Sequence, residues 1–330
     1  MRGIGLCGQD AGMTFALMRG YDHINVASCP DPVAAVRDRE LAERILRYPK
    51  IFPTGSPDFG HAVQFGEEWR IGSLGADDPS SARYGLAMDL RTAAAGEPDP
   101  ATAEAMLRAA ARLDPEDGEQ LAKDEWEIGD RRYRIIRVTK YIQCGDRVLE
   151  PPRSTDAGLA GDGLLRGHLI DPSAPCGRWE AQLRLNLVGF LAVAEDVPGI
   201  VRTEARHALQ AHPGVVLLPP TFMVVELDGD SWGPLVCGDD PDDARKRLAR
   251  HFTGLLPRMR KLHGDPPSAE ECAEWTAMAE GILATPGHSF SVRGREFRTV
   301  RVSRMLRLGR DGPEASRPSD QERYDLTTGR

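Results

Sequence analysis

The feature that most constrains this chain is that it aligns with itself. Residues 128–156 lie on residues 292–320 without a gap, at a constant spacing of 164 positions. Arg131, Arg134, Arg137 and Val138 meet Arg295, Arg298, Arg301 and Val302, and Gly145, Glu150, Arg153 and Asp156 meet Gly309, Glu314, Arg317 and Asp320. Conservative pairs fill the gaps between them, with Tyr133 on Phe297, Ile136 on Val300, Thr139 on Ser303 and Lys140 on Arg304. Upstream the order persists. Asp77-Asp78-Pro79 and Ala82-Arg83 meet Asp239-Asp240-Pro241 and Ala244-Arg245, Gly66 and Trp69 meet Gly229 and Trp232, and Pro49 meets Pro213. Self-similarity at a fixed period is read as repetition of one folding unit, so an internal tandem duplication is expected.

Each unit reads as α-β-β-β-α-α-β-β. In the second, a helix over 201–211 stops before Pro213, and apolar runs at 215–218 and 221–227 read as strands. A turn at Asp228-Gly229-Asp230 leads to a third strand over 232–236. Asp240 followed by Pro241 is a helix start, with the acids Asp242 and Asp243 favouring the N-terminal dipole, and that helix is expected to run to about Leu255. Pro267 and Ser268 open another helix to about Leu283, and a hairpin of 289–292 with 296–306 closes the unit. The first unit follows the same order: helix 33–47, strands near 51–54, 60–65 and 69–73, a helix from Pro79, a helix near 100–112 and a hairpin at 125–142, with an extra strand at 21–26. Strand runs separated by helix runs predict an α+β fold rather than a parallel α/β sheet, with two antiparallel sheets packed as a pseudo-dimer. The expected divisions are a flexible 1–20, a first unit at 21–150, a linker at 151–178, a bridging helix (179–194) plus second unit at 179–310, and a flexible tail at 311–330.

The chain is long enough for two domains and a full core. Its net charge of −8 argues against general nucleic-acid or anionic-membrane binding, although a local basic patch stays compatible with it. Cys7, Cys29, Cys144, Cys176, Cys237 and Cys272 include no CxxC pair, which fits reduced thiols rather than a zinc site or a disulfide framework. The first twenty residues hold no unbroken apolar run, so no signal peptide is expected, and no window approaches a membrane span. The expected location is the cytoplasm.

Several motifs match only on paper. Gly3-Ile4-Gly5-Leu6-Cys7-Gly8 fits GxGxxG, but the dinucleotide fingerprint needs a preceding strand and two residues cannot supply one. Gly229-Asp230-Ser231-Trp232-Gly233 fits GxSxG, but it joins two strands, and Ser231 corresponds to Glu68 in the other unit while the Gly and Trp recur. His207 and His212 are five apart, not four, and no histidine occupies equivalent positions in both units. A duplicated metal or acid/base site is therefore not supported, and no metal or cofactor is expected. His61, His251 and His288 stay open as residues of a site confined to one unit, with a structural or surface role as the simpler reading. Asp78 and Asp240 read as helix caps, with Arg83 and Arg245 pairing to nearby carboxylates.

The strands at 131–140 and 295–304 alternate arginine with apolar residues. Because strand side chains alternate, Ile136 and Val138, like Val300 and Val302, mark a core face. Arg137 and Arg301 lie on the other face beside an aromatic residue and a hydroxyl. A guanidinium there binds a carboxylate or phosphate bidentately, or it is an ordinary strand arginine, exposed or paired with an acid of its own unit. The candidate anion-binding residues are Arg134, Arg137, Arg298 and Arg301.

The run Leu217-Leu218-Pro219-Pro220-Thr221-Phe222, with Ala208-Leu209 and His212-Pro213 before it and Pro257-Arg258-Met259-Arg260 after it, resembles an uncharacterised Streptomyces-type actinobacterial family. That family is catalogued as a domain of unknown function, numbered 5954 in its series. Asp31-Pro32-Val33 and Glu150-Pro151-Pro152-Arg153 belong to the same likeness, which spans about residues 30–265. It implies no activity, cofactor or catalytic residue. The leading expectation is a non-enzymatic cytosolic binding or accessory protein with an anion or protein-partner site where the two units meet. The alternatives are an enzyme acting on a small anionic metabolite, with Arg301, His288 and Glu226 as candidate groups, and an antitoxin- or immunity-type partner-binding protein.

Overall fold

The computed structural model describes residues 24–27, 31–114, 123–146, 148–156, 165–191, 197–229 and 231–320. The GxGxxG run, Cys7, Cys29 and residues 21–23 of the proposed 21–26 strand lie outside them; of residues 24–26 only Val26 is paired, in an isolated bridge with Cys176. The first half contains α1 (Pro32–Arg47), β1 (Lys50–Pro53), β2 (Asp58–Phe65), β3 (Glu68–Ala76), α2 (Pro79–Ala94), α3 (Pro100–Leu113), β4 (Glu125–Ile128) and β5 (Arg131–Cys144). After α4 (Arg178–Val188) come α5 (Gly199–Ala211), β6 (Gly214–Asp228), β7 (Ser231–Gly238), α6 (Pro241–Arg250), α7 (Leu256–Leu262), α8 (Ala269–Ala284), β8 (Ser289–Val292), β9 (Arg295–Gly309) and β10 (Gly312–Pro313).

Asp-Pro pairs start four of these helices. Asp31, Asp78, Asp99 and Asp240 are N-caps whose carboxylates accept backbone N–H bonds, each followed by proline in the first turn. Such a cap is worth about 1 kcal/mol, and proline at the first helical position loses no hydrogen bond. Ser268 and Glu271 form a reciprocal capping box at α8.

The strands make one antiparallel sheet in the order β3-β2-β5-β9-β6-β7, with β1 and β4 added to β5 and β8 and β10 to β9. The α+β class follows directly. The expected pair of packed sheets is corrected to a single continuous sheet, because β5 and β9 pair edge to edge. Their ladder runs from Val138 opposite Leu306 to Tyr141 opposite Ser303, and Lys140 faces Arg304, its own counterpart in the sequence alignment. Joining the two central edges leaves neither half with a bare strand there.

Both faces of this sheet are covered. On one, Leu86, Leu90, Met106 and Leu113 pack on Tyr133 and Ile135 in the first half. There, too, Leu248, Phe252 and Ile282 pack on Phe222 and Phe297 in the second. On the other face Ile136, Val138, Val216 and Leu306 join Ile170. Recurring Gly145 and Gly309 have a packing cause: a Cβ on them would lie 2.5 Å from the Arg47 carbonyl and 2.4 Å from the Ala211 carbonyl.

Other boundaries moved for physical reasons. The two expected strands at 215–218 and 221–227 are one strand, β6, whose register shifts where Pro219-Pro220 interrupts the ladder. The helix from Pro241 does not stop near Leu255 but passes through a π-helical turn, His251–Leu255, into α7. The bridging helix ends at Val188. Part of the expected linker is sheet-bound: Ile71 N–H donates to His168 O at 2.9 Å and Ile170 N–H to Trp69 O at 2.8 Å. Residues 311–320, expected in a flexible tail, form β10 and carry Glu314, which is 3 % exposed. Among the described residues no helix is long and apolar enough to cross a membrane.

Candidate functional site

The segments Glu150–Asp156 and Glu314–Asp320 are built alike. Glu150 accepts from Arg153 Nε at 2.6 Å and Glu314 from Arg317 Nε at 2.7 Å. Asp156 accepts from the Arg153 backbone N–H at 2.8 Å and Asp320 from that of Arg317 at 2.7 Å. Each segment is tied to a helix by a carboxylate, Glu40 accepting from Thr155 N–H and Glu204 from Ser319 N–H, both at 3.2 Å.

Each segment then reaches across to the other half. Arg137 N–H donates to Glu314 O and Arg301 N–H to Glu150 O, both at 2.9 Å. Arg137 Nε donates to the Asp320 carboxylate at 3.1 Å, and Arg301 Nε to Asp156 at 3.0 and 3.2 Å. The neighbouring hydroxyls complete the pattern, Arg137 reaching Thr139 at 3.3 Å and Arg301 reaching Ser303 at 2.6 Å. Arg137 is buried and Arg301 largely so, and each guanidinium carries a carboxylate from the opposite half of the chain. A buried ion pair of this kind holds a register, and removing one partner leaves the other charge uncompensated.

The two arginines differ in what adjoins them. A cavity of about 630 Å³ opens beside Arg301, and Arg137 is not among its lining residues. That volume lies in the ordinary range for small-molecule sites. Its walls come from α1 (Arg37, Asp38), from β5 and the segment after it (Tyr141, Arg153, Asp156), from the stretch entering α4 (His168, Glu180) and from β6 and β9 (Pro219, Arg301, Arg304). Several of the charges are already engaged. Asp38 accepts the N–H groups of Trp179 and Glu180 at 2.9 and 3.0 Å, and Arg304 Nε donates to Pro219 O at 2.7 Å. Arg37 makes no ion pair among the described residues and is exposed at the rim. Burial pushes the Tyr141 phenol up to about 12, so it is a neutral donor, and burial lowers His168 below the usual histidine value.

Arg134 and Arg298, the other two candidates, are elsewhere. Arg134 is buried against Glu125, donates to Pro313 O at 2.9 Å and Asp311 at 2.6 Å, and lies over the Trp69 ring. Arg298 is half-buried on β9 opposite Val225 and makes no ion pair among the described residues. Arg301, His288 and Glu226 are not brought together: Glu226 is held by Arg295 through two 2.6 Å bonds, and no hydrogen bond or ion pair among the described residues links the three. Ser231 Oγ donates to Asp228 O at 2.8 Å, within a turn. Among the described residues no group of three or more metal-ligating side chains is assembled.

One constellation has no counterpart in the sequence motifs. His61, 3 % exposed, has its Nδ1 2.9 Å from Ser73 Oγ and its Nε2 3.3 Å from Asp89, which also holds Arg166 at 2.6 Å. Nε2–H donating to the carboxylate leaves Nδ1 to accept from the serine hydroxyl. Burial lowers the imidazole to about 4, opposed by Asp89, so it is neutral near pH 7. The signal was Gly72, where a Cβ would lie 2.1 Å from His61 Nε2.

The model of the Family of unknown function (DUF5954) matches residues 31–323, well past the 265 at which the sequence likeness ended. No curated protein and no solved structure gives a significant match.

Proposed function

The chain belongs to that family, and we propose that it is a non-enzymatic cytosolic accessory protein, two copies of one unit fused into a pseudo-dimer, that binds a small anion where the copies meet. The cavity beside Arg301 carries this reading. It lies between the halves, has the volume of a metabolite site, and offers Arg37 at its rim with Tyr141 and His168 as neutral donors. The crossed Glu-x-x-Arg-x-x-Asp segments support a fused dimer, because the contact made by residue Arg137 to Asp320 recurs as Arg301 to Asp156. The internal carboxylates keep both central arginines in place, so Arg301 would hold the site's shape while Arg37 contributes the uncommitted charge.

The test is thermal shift and calorimetry with inorganic phosphate, sulfate, succinate and citrate. The expected result is saturable binding of at least one anion, weakened about tenfold in Arg37→Ala and weakened in Tyr141→Phe. No saturable anion among the four, or equal binding by Arg37→Ala, overturns the reading. A second reading, an enzyme with its site in one unit, rests on the Ser73–His61–Asp89 chain. A fluorophosphonate probe, whose phosphorus would be attacked by Ser73 Oγ with loss of fluoride and transfer of the hydroxyl proton to His61, tests it: labelling at Ser73 that disappears in His61→Gln favours the enzyme, and an unlabelled protein removes it.

A further inference from the structure

The second half carries a helical extension that the first half lacks. Ala82-Arg83 of α2 correspond to Ala244-Arg245 of α6, so the end of α2 at Ala94 falls opposite Leu256, and the second rod, which contains a π-helical turn, runs on from there to Leu262. The core does not call for this addition, since α7 buries none of its residues. Its apolar side chains face outward instead: Leu255, Met259 and Leu262 are 50, 44 and 77 % exposed. Spaced by four and three, they form one stripe along the helix. A π turn inside a helix is a common mark of a functional surface.

The charge of the same rod runs against that of the chain. Residues 244–263 hold seven Lys or Arg and no Asp or Glu, in a protein of net charge −8. Three of those seven are used locally. Arg245 donates to the carbonyls of Thr285 and Gly287, Arg247 pairs with Asp243, and Arg260 pairs with Asp265 and Glu271. Lys246, Arg250, Arg258 and Lys261 are exposed and make no ion pair among the described residues. Lys246 and Arg250 also form one wall of a groove of about 390 Å³ between α6 and α8, lined further by Ala249, Thr253 and Ala279, with the single acid Glu280 on the α8 side.

We propose that this basic rod, with its apolar stripe and the α6–α8 groove, docks an acidic amphipathic helix of a partner protein. Carboxylates of such a helix would meet Lys246, Arg250, Arg258 and Lys261, and its apolar side chains would cover Leu255, Met259 and Leu262. Helix-in-groove recognition uses this combination of apolar anchors and flanking charge. A flat lipid surface has no use for a groove walled by α8, and a nucleic acid has none for an apolar stripe. The surface is separate from the cavity beside Arg301, so the two readings stand or fall independently.

The probe is a synthetic amphipathic Glu/Leu/Ala helix of about 20 residues with leucine on one face. It is titrated onto the full chain by fluorescence anisotropy beside a scrambled peptide of the same composition, phosphatidylserine vesicles and duplex DNA. The amphipathic peptide should bind at least about tenfold more tightly than the scramble. Its affinity should fall about tenfold in Lys246→Glu/Arg250→Glu, fall in Leu255→Ser/Met259→Ser, and weaken with added salt. All four positions are exposed, and circular dichroism confirms that the variants keep the fold. Equal binding of the scramble, indifference to either double variant, or tighter binding of vesicles or DNA than of the peptide would overturn the proposal.

Discussion

The hairpin β2–β3 and the hairpin β6–β7 occupy matching places at the two ends of the sheet, and they are finished differently. In the first, His61 stands opposite Ser73; in the second, Val224 stands opposite Val236. The outer edge of β3 is covered by residues 167–170 of the same chain, and Arg166 reaches Asp89 over the buried histidine. The outer edge of β7 is uncovered among the described residues, and Pro234 stands where β3 has Ile71, the residue whose N–H receives the covering segment. Proline there removes the donor that strand addition needs. Trp69 is 6 % exposed while Trp232 is 39 % exposed. A valine pair builds one hairpin and a polar pair the other, so the polar pair is not a demand of the hairpin itself.

The largest test asks whether the central clasps, unlike the hairpins, are equivalent. Asp320→Ala and Asp156→Ala should each cost about 3–5 kcal/mol in urea unfolding by leaving a buried arginine unpaired, and Arg137→Ala/Asp320→Ala should cost less than the sum of its parts. Unequal costs for the two aspartates would show that the clasps, too, differ. Next comes acid. The folded His61 sits at about 4 against an ordinary 6.5, so the unfolded chain binds the proton first as pH falls. The His61 contribution is fully present above about pH 6.5 and should decline by roughly 3 kcal/mol down to pH 4. His61→Val/Ser73→Val, which copies the other hairpin, should remove the His61 share of that decline in a pH series of melts, leaving the smaller part due to His168, His212, His251 and His288, which burial also lowers. Asp311, held down to about 2 by Arg132 and Arg134, loses its contribution only in stronger acid.

Smaller effects probe the shared framework and then the bare edge. Gly145→Ala and Gly309→Ala should each destabilise by about 1–3 kcal/mol, because both crowd a backbone carbonyl that cannot move far. Differential scanning calorimetry would show whether the two positions respond alike. Pro234→Ile should change stability by less than about 1 kcal/mol but restore the edge donor, and self-association rising with concentration in analytical ultracentrifugation is the expected outcome.

Much of the framework was legible because it rests on local chemistry. Asp78-Pro79 and Asp240-Pro241 are helix starts wherever they occur, and β8 begins and ends at the expected Ser289 and Val292. The recurrence of Glu150, Arg153 and Asp156 as Glu314, Arg317 and Asp320 was visible too. Which half each segment serves was not visible. When both halves contain the same arginine and the same aspartate, alignment cannot distinguish a contact within a half from one exchanged between halves. The cavity was hidden for a similar reason, since Arg37, His168 and Arg301 come together only through tertiary packing. The continuation of the helix past Leu255 was not legible, since it depends on a π turn that lets Pro257 stand in the first turn of α7, where no intrahelical N–H bond is lost.

The exchanged segments also have a bearing on order in time. A chain made from its N-terminus produces β5 long before it produces Glu314 and Asp320, which are among the last residues described. Until then the backbone N–H of Arg137 and its guanidinium await partners that do not yet exist. The first half therefore cannot reach its final form until Glu314 and Asp320 have been made, and a late segment completes an early one.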